Sequence, residues 1–259
     1  MTYNFHTHTY HCHHASGTPE EYVLRAIANG ITEMGFSDHF PWTLENGFHN
    51  SARVPVTEVP IYLSEIRTLQ EKYKEKIQIH IGFEMEYYSE HFDKMKAKAI
   101  EYGAEYLLLG EHYAYPEDRT DAFPHASKAT TDASYLIFHT DRTIEGMKTG
   151  CFTYVAHPDV LHFVGDKELH YREMHRICLA SLELSIPLEI NFLGIRDGRY
   201  YPCDNFLKAA AETGAPITFG FDAHTVESAY DGASLLVAKK MVKDYDLNYI
   251  GKPVFRPII

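Results

Sequence analysis

Short apolar runs alternate with amphipathic segments along all 259 residues of the chain. Such alternation is typical of an α/β fold, in which parallel strands are joined by crossover helices. Seven runs are predicted as strands, at residues 3–7, 32–37, 77–83, 106–110, 153–156, 187–191 and 216–221. Composition does not shift between the units, so we expect one domain over residues 1–259. Closing the seven units would give a (β/α)7 barrel, and an open doubly wound sheet is the alternative.

Helical periodicity and capping signals occupy the segments between the predicted strands. The first helix shows the clearest start, because Thr18 can act as N-cap, Pro19 suits the first turn and Glu21 completes a capping box, while Gly30 can end it. Further helices are predicted near residues 61–73, 90–102, 132–148, 168–184, 206–212 and 227–244. Residues 40–57, 113–128 and 248–259 are predicted as irregular segments.

Nine potential metal ligands stand where these apolar runs end. They are seven histidines and two carboxylates: His6, His8, His14, His39, Glu84, His112, His157, Asp222 and His224. The C-terminal ends of the strands meet at one face of a parallel barrel, and active sites lie there. Imidazole suits zinc, iron or manganese, and a carboxylate can bridge two ions. The alternative, a structural role for each residue separately, would need several independent coincidences.

The first motif leaves one choice open. His6 and His8 are two residues apart on a predicted strand, so both can point to the same side and bind one ion. Three further histidines follow in the next loop, namely His11, His13 and His14. Spacing alone does not decide which of these three binds metal.

Acidic residues near the other strand ends can bind metal or have other roles. Asp38 can be a ligand or can orient one. Glu84 and Glu86 should face the same way after a strongly apolar run, and buried carboxylates need a metal ion or another cation. A salt bridge to Lys or Arg is the alternative for both. Asp222 and His224 repeat the i, i+2 spacing and form a stronger metal signal.

Composition indicates which partners and which cellular compartment to expect. The net charge of −12 disfavours nucleic acid, whose phosphates need a basic surface. The four cysteines lack CxxC spacing, which fits reduced thiols in the cytoplasm better than a disulfide framework or a zinc ribbon. We expect neither a membrane span nor a signal peptide, because no apolar run is long enough and histidines interrupt the N-terminal segment.

The strand-end motifs resemble those of the PHP (polymerase and histidinol phosphatase) family of metal-dependent phosphoesterases over nearly the whole chain. They are FHTH at 5–8 with His14, GFSDH at 35–39, GFEME at 82–86, GEH at 110–112, AHPD at 156–159 and GFDAH at 220–224. The resemblance implies a distorted (β/α)7 barrel that holds two to three divalent transition metal ions, such as zinc, manganese or iron.

The same resemblance implies how the ligands divide. A first ion would take His6, His8, Glu84 and Asp222. Glu84 would bridge to a second ion, which His112 and His157 hold. A third ion would take His14, His39 and His224.

The segment at 189–196 is similar to the histidinol-phosphatase branch of the family, in which its arginine holds the substrate phosphate. Arg196 is therefore the expected substrate-binding residue. Those phosphatases usually have a second arginine after the fifth strand, but residues 158–165 contain neither Arg nor Lys, and His162 is the candidate there. We expect hydrolysis of L-histidinol phosphate, a step of histidine biosynthesis, by a hydroxide held between ions, with Glu84, Asp222 and Arg196 as catalytic residues.

Three other functions compete with this one. A phosphoesterase acting on another small phosphoester or on nucleotide ends would use the same ligands, but the acidic charge disfavours long nucleic acids. An amidohydrolase typically bridges its ions with a lysine, whereas this chain offers Glu84. A non-catalytic metal-binding accessory module would be expected to have lost ligands, and here every position is filled.

Overall fold

Seven parallel strands form one sheet, and their order in the sheet follows their order in the chain. The structure is a computed structural model that describes residues 1–119 and 123–259, without the side chain of residue 119. The strands are β1 Tyr3–Asn4, β2 Glu33–Phe36, β3 Gln78–Met85, β4 Tyr106–Leu109, β5 Tyr154–Val155, β6 Leu188–Asn191 and β7 Ile217–Gly220. Each strand pairs in parallel with the next one. All seven predicted strands are confirmed.

Residues just beyond β1 and β7 close this sheet. Thr7 and Ala223 form a parallel bridge, in which the amide of His8 donates to the Ala223 carbonyl at 2.9 Å and the Ala223 amide donates to the His6 carbonyl at 3.2 Å. The first strand is thus joined to the last. The predicted (β/α)7 barrel is confirmed, and the open doubly wound sheet is wrong.

Eight α-helices are described around the strands. They are α1 Pro19–Ala28, α2 Val59–Tyr73, α3 Phe92–Tyr102, α4 Ala133–Lys148, α5 Lys167–Leu184, α6 Phe192–Arg196, α7 Asp204–Thr213 and α8 Gly232–Tyr245. Single 3-10 turns lie at Tyr10–Cys12, Glu117–Arg119 and Glu227–Ala229. Six predicted helices are confirmed close to their predicted bounds.

The start of α1 shows why those predictions succeed. Glu21 accepts a hydrogen bond from the Thr18 amide at 2.8 Å, and the Thr18 hydroxyl oxygen accepts one from the Glu21 amide at 3.4 Å. This reciprocal pair satisfies amides that the first helical turn cannot satisfy internally. Gly30 follows the helix with a φ of 78°, as expected for a residue that ends one.

Two helices differ from the prediction. The pattern predicts the last helix over 227–244, but residues 227–229 form a separate 3-10 turn, and Asp231 caps the start of α8 by accepting the Ser234 amide at 2.9 Å. The short α6 was not predicted at all. It begins directly after β6, where the Asn191 side chain accepts the Gly194 amide at 3.1 Å.

The chain's last residues cover the N-terminal end of the barrel. The ring of Phe255 stacks on Tyr106, with ring centres 4.6 Å apart, and packs edge-on against Phe5 at 4.8 Å. The Tyr106 hydroxyl donates to the Phe5 carbonyl at 2.8 Å. Aromatic rings thus fill this end of the barrel, opposite to the end where the predicted ligands lie.

In the part of the chain that the structure describes, we find no helix with the length and hydropathy that a bilayer crossing requires.

Candidate metal centre and active site

The nine predicted ligands come together at the C-terminal end of the strands. They form four overlapping groups, in each of which one potential ligand atom per residue lies within 4.8 Å of the others. The groups are His8 with His14, His39 and His224; His6 with His8 and Asp222; His6 with Glu84 and His157; and His39 with Glu84 and His112. Residues from across the sequence therefore build one continuous cluster, as the strand-end pattern predicts.

Glu84 lies at the centre of this cluster and is 1% exposed. Its two carboxylate oxygens face different histidines. Oε2 faces ring nitrogens of His6 at 3.4 Å, His8 at 3.3 Å and His39 at 3.4 Å. Oε1 faces those of His112 at 3.6 Å and His157 at 2.9 Å. One carboxylate is thus shared between two sets of imidazoles, which is the arrangement of a bridging ligand.

Asp222 extends the cluster from the end of β7. Its Oδ1 lies 3.6 Å from His6 Nε2, 3.4 Å from His8 Nε2 and 3.2 Å from His224 Nδ1. The backbone of Asp222 has a positive φ of 45°, which is uncommon outside glycine and aims its side chain differently from a regular strand residue. Uncommon conformations of this kind concentrate at functional sites.

The donor atoms fit bound divalent metal ions. Five buried atoms at the centre have no hydrogen-bond partner among the described residues: His6 Nε2, His8 Nε2, Glu84 Oε1, Glu84 Oε2 and Asp222 Oδ1. Leaving such atoms buried and unpaired is costly. Imidazole nitrogens and carboxylate oxygens are ligands of zinc, manganese and iron. Divalent metal binding therefore fits this set of residues.

The charges and burial in the cluster favour the ionisation states in which side chains bind metal, an ionised carboxylate for Glu84 and a neutral imidazole for His14. Burial would raise the pKa of Glu84, but the charges of His112 and His6 hold it well below its ordinary value, so the side chain is a carboxylate. Burial, together with His8 and His224, lowers the pKa of His14 to about 4 and leaves a neutral ring. Metal binding requires both of these forms.

A carboxylate behind the cluster orients two ligands. Glu189 Oε1 bonds to His6 Nδ1 at 2.8 Å, and Glu189 Oε2 accepts the His157 amide at 3.0 Å. Asn191, two residues further along β6, donates to Glu189 at 2.8 Å and to Asp222 Oδ2 at 3.0 Å. Such outer contacts fix ring orientation and ligand basicity. Glu189 and Asn191 were not singled out in the sequence, although two polar residues on one face of an apolar strand are a recognisable signal.

A buried ion pair supports the second histidine set. Glu86 Oε1 bonds to His112 Nδ1 at 3.1 Å, and Glu86 Oε2 pairs with Arg53 at 2.5 Å. Arg53 also donates to Glu117 at 2.6 Å and to the Phe40 carbonyl at 3.0 Å. Of the two alternatives for Glu86, the salt bridge is therefore correct, and its carboxylate orients His112.

The hydrogen bonds of Asp38 fit the alternative that it orients the ligand segment. Its carboxylate accepts the Thr9 amide at 2.8 Å and the Thr9 hydroxyl at 3.0 Å. Both contacts fix the turn that follows His8. Asp38 approaches His8 and Cys12 as well, and all three are fully buried.

The three loop histidines have different surroundings in the structure. His14 reaches the cluster, with its Nε2 only 3.0 Å from His224 Nε2. His11 bonds instead to Glu65 at 2.9 Å, and His13 is exposed with a positive φ of 63°. The predicted choice of His14 agrees with this placement.

Two glycines at strand ends, Gly110 and Gly220, lie in close contact with buried carboxylates. A Cβ atom at Gly110 would overlap the Glu84 carboxylate, and one at Gly220 would overlap the Glu189 carboxylate. A larger residue at either position would push a centrally placed acid out of line. This explains physically why glycine precedes Glu111-His112 and Phe221-Asp222 in the sequence.

The cluster opens into a cavity of about 710 Å³. Three arginine side chains, Arg53, Arg196 and Arg199, are among the described residues that line this cavity. Arg196 stands at the end of α6, where it donates to Asp231 at 3.1 Å and to the Asp222 carbonyl at 3.1 Å. It thus reaches the same face as the metal cluster, as predicted.

His162 is placed differently from its predicted role. It is not among the residues that line the cavity, because its ring stacks flat on Tyr200, with ring centres 3.9 Å apart, and it is Tyr200 that faces the cavity. Its amide donates to the Ala126 carbonyl at 2.8 Å, which fixes its path. The role of His162 in substrate binding therefore stays a prediction, and its ring lies behind Tyr200. Arg199 and Tyr201, which the sequence did not mark, line the cavity instead.

Together the fold and the cluster define a β/α-barrel protein with a site suited to divalent metal ions at the C-terminal ends of its strands. Residues 4–193 match the profile of the PHP domain family. The chain belongs to the PHP family, as its motifs predict.

Curated relatives agree over most of the chain. A probable histidinol-phosphatase of Deinococcus radiodurans is 26% identical over 228 residues, which cover 85% of each chain. A histidinol-phosphatase of Bacillus subtilis is 24% identical over 263 residues, covering 85% of this chain and 92% of the relative. These relatives confirm the predicted enzyme class, a histidinol-phosphatase-like phosphoric monoester hydrolase.

A solved structure shows the same fold. It is the histidinol phosphate phosphatase of Lactococcus lactis in complex with zinc, L-histidinol and phosphate. The two folds agree with a TM-score of 0.71 at 18% identity, over 96% of this chain and 95% of the other. This likeness confirms the architecture of the barrel.

Proposed function

We propose that this chain is a metal-dependent phosphomonoesterase that converts L-histidinol phosphate into L-histidinol and phosphate, in the histidine biosynthesis of the cytoplasm. The observation that carries the proposal is the Glu84 carboxylate, whose two oxygens are shared between five imidazoles at 2.9–3.6 Å beside a cavity with arginine side chains. A bridging carboxylate and nearby cations are the elements that phosphoryl transfer needs.

We infer two to three ions of zinc, manganese or iron, held by the nine clustered residues. When bound, such ions neutralise phosphoryl oxygens and generate a nucleophile from water at neutral pH. The chain's own contribution is positional. Glu84 and Asp222 bring two negative charges to the centre, while Glu189 and Glu86 hold the rings of His6 and His112 in fixed orientations.

Arg196 supplies a positive charge at the cavity wall. Its guanidinium is anchored by Asp231 and by the Phe221 and Asp222 carbonyls, so its position is fixed before substrate arrives. A planar, permanently charged fork matches the oxygens of a phosphate group. We assign it to charge stabilisation of the phosphoryl group, as electrostatic preorganisation requires.

The choice of substrate within the phosphomonoesters is supported by the relatives. Both curated relatives described above bear the name histidinol-phosphatase, and the structurally similar Lactococcus lactis enzyme was solved with L-histidinol and phosphate. A charged cavity of this size, lined by potential metal ligands, suits a small phosphorylated metabolite.

A phosphate-release screen tests the proposal. The metal-loaded protein would be given L-histidinol phosphate, a panel of sugar, nucleotide and amino-alcohol phosphates, p-nitrophenyl phosphate and its bis ester. We expect the highest kcat/KM for L-histidinol phosphate and little turnover of the bis ester. A preference for another monoester would refute the substrate but leave the reaction class, and preference for the bis ester would indicate a phosphodiesterase. No turnover with a full complement of metal would favour the accessory module.

A further inference from the structure

Among the described side chains, three arginines line the cavity, and they differ in how many of their donors are engaged. Arg53 is 3% exposed and is held by Glu86, Glu117 and a backbone carbonyl. Arg196 is anchored by Asp231 and two carbonyls. The side chain of Arg199 is 42% exposed, and the described residues give it only two partners. A guanidinium carries five N–H donors, so Arg199 keeps most of its donors free.

The two partners of Arg199 are a carboxylate and a phenol. Its Nη2 donates to Asp197 at 3.0 Å, and its Nη1 donates to the Tyr201 hydroxyl oxygen at 3.1 Å. The Tyr201 oxygen therefore accepts from Arg199, and its own hydrogen remains available for a third group. Both Arg199 and Tyr201 line the cavity.

The metal cluster lies directly beside this pair. The ring of Tyr201 packs edge-on against His157, with ring centres 6.1 Å apart, and Tyr201 is 3% exposed. The backbone is fixed as well, because the Arg199 amide donates to the Gly194 carbonyl at 2.9 Å. A Cβ atom at Gly194 would overlap the Tyr201 carbonyl, so the segment lies tightly against α6. The donors are thus presented from a rigid wall next to a predicted ligand.

We propose that the Arg199 guanidinium and the Tyr201 hydroxyl form a clamp that binds the phosphoryl oxygens of the substrate and of the phosphate product. The proposal rests on the phosphomonoesterase function and names residues that set its affinity for the phosphate group. A guanidinium beside a hydroxyl donor suits a doubly charged phosphoryl group. The ion pair with Asp197 is half-exposed on both sides, and such pairs contribute little, so Arg199 can exchange that partner for phosphate.

The experiment compares variants of the metal-loaded enzyme, using the KM for p-nitrophenyl phosphate and the inhibition constant of inorganic phosphate. In Arg199→Ala we expect both constants to rise by about 10-fold or more, the range for losing a hydrogen bond to a charged group. Arg199→Lys should recover part of the loss, and Tyr201→Phe should give a smaller rise in both constants. Metal content should not change. Arg172→Ala, at an exposed position on α5, is the control and should leave both constants unaltered.

Asp197→Asn separates binding from loop positioning. If Arg199 binds phosphate, removing the competing carboxylate should leave phosphate affinity equal or higher. If Arg199 only holds the loop through Asp197, this variant should weaken phosphate binding as Arg199→Ala does, and the clamp is then refuted.

The clamp and the proposed function fail in different ways. Unchanged constants in Arg199→Ala, with an active wild type, would refute the clamp alone. A wild type that hydrolyses no phosphomonoester would refute the proposed function. In that case, calorimetric titration of inorganic phosphate into wild type and Arg199→Ala would test the clamp directly. We expect weaker phosphate binding in Arg199→Ala, and equal affinities would refute the clamp.

Discussion

Replacing Glu84 by glutamine should damage the metal centre far more than the same change at Glu86. The two acids are two residues apart on β3 and are equally buried, at 1% and 2% exposed. Glu84 faces five imidazole nitrogens within 3.6 Å, whereas among the described side chains Glu86 pairs with His112 and Arg53. Glutamine keeps the shape of the side chain, so the comparison isolates charge and donor identity.

The contacts give the expected magnitudes. A unit charge pair at about 4 Å is worth about 4 kcal/mol at the effective dielectric of a protein site, and Glu84 would face at least two divalent ions. Its loss should therefore lower kcat by more than about 10³-fold and reduce metal content. Glu86 acts through His112, and losing such an orienting partner typically costs about 10–100-fold.

The assay is the turnover of p-nitrophenyl phosphate together with elemental analysis of each variant. Glu111→Gln is the matched control. Burial raises the pKa of Glu111 well above its ordinary value, and glutamine can still accept the Tyr87 amide, so it imitates the neutral acid. This control should retain metal and most of the activity. Equal, mild losses at Glu84 and Glu86 would refute the bridging role.

Three further outcomes follow from other parts of the structure. Arg196→Ala should lower kcat/KM for phosphomonoesters by a factor that corresponds to about 2–4 kcal/mol of transition-state stabilisation, without changing metal content. Unaltered kinetics would mean that Arg196 does not contact the substrate. His14→Ala should lower metal content by about one ion per chain, which elemental analysis measures, and a full complement would contradict the grouping of His14 with His39 and His224. Burial lowers the pKa of His139 from 6.5 to about 4, so its contribution to folding is complete above about pH 6.5 and is lost as pH falls towards 4. In chelator-treated protein, His139→Gln should flatten that part of the pH–stability curve by at most about 3 kcal/mol, and an unchanged curve would contradict the assignment.

Local patterns predicted the strands and the metal ligands. Six of the nine ligands follow an apolar run directly, and parallel strands necessarily bring their C-terminal ends to one face. The fold, the family and the clustering of all nine residues were therefore accessible from the sequence. The start of α8 was accessible too, since Asp231 and Ser234 form a capping pair, but the continuous periodicity before them obscured it.

Residues that act over long separations were not predictable in this way. Arg53 lies in a polar loop and meets Glu86 and Glu117, which are 33 and 64 residues away. Nothing in its neighbourhood in the sequence marks it as buried. The position of His162 after β5 predicts a place in the cavity, but its ring stacks on Tyr200, and Tyr200 is the residue that lines the cavity. Such contacts depend on where distant loops meet, and only the folded structure shows that.

The proposed phosphomonoesterase activity depends on metal ions bound by the clustered ligands at the barrel end. The most direct test removes metal from the protein, then restores zinc, manganese or iron in steps while phosphate release from L-histidinol phosphate is measured. We predict no release without metal and a rate that rises until two to three ions per chain are bound. Full activity in the metal-free protein, or no release from the fully loaded one, would contradict the account.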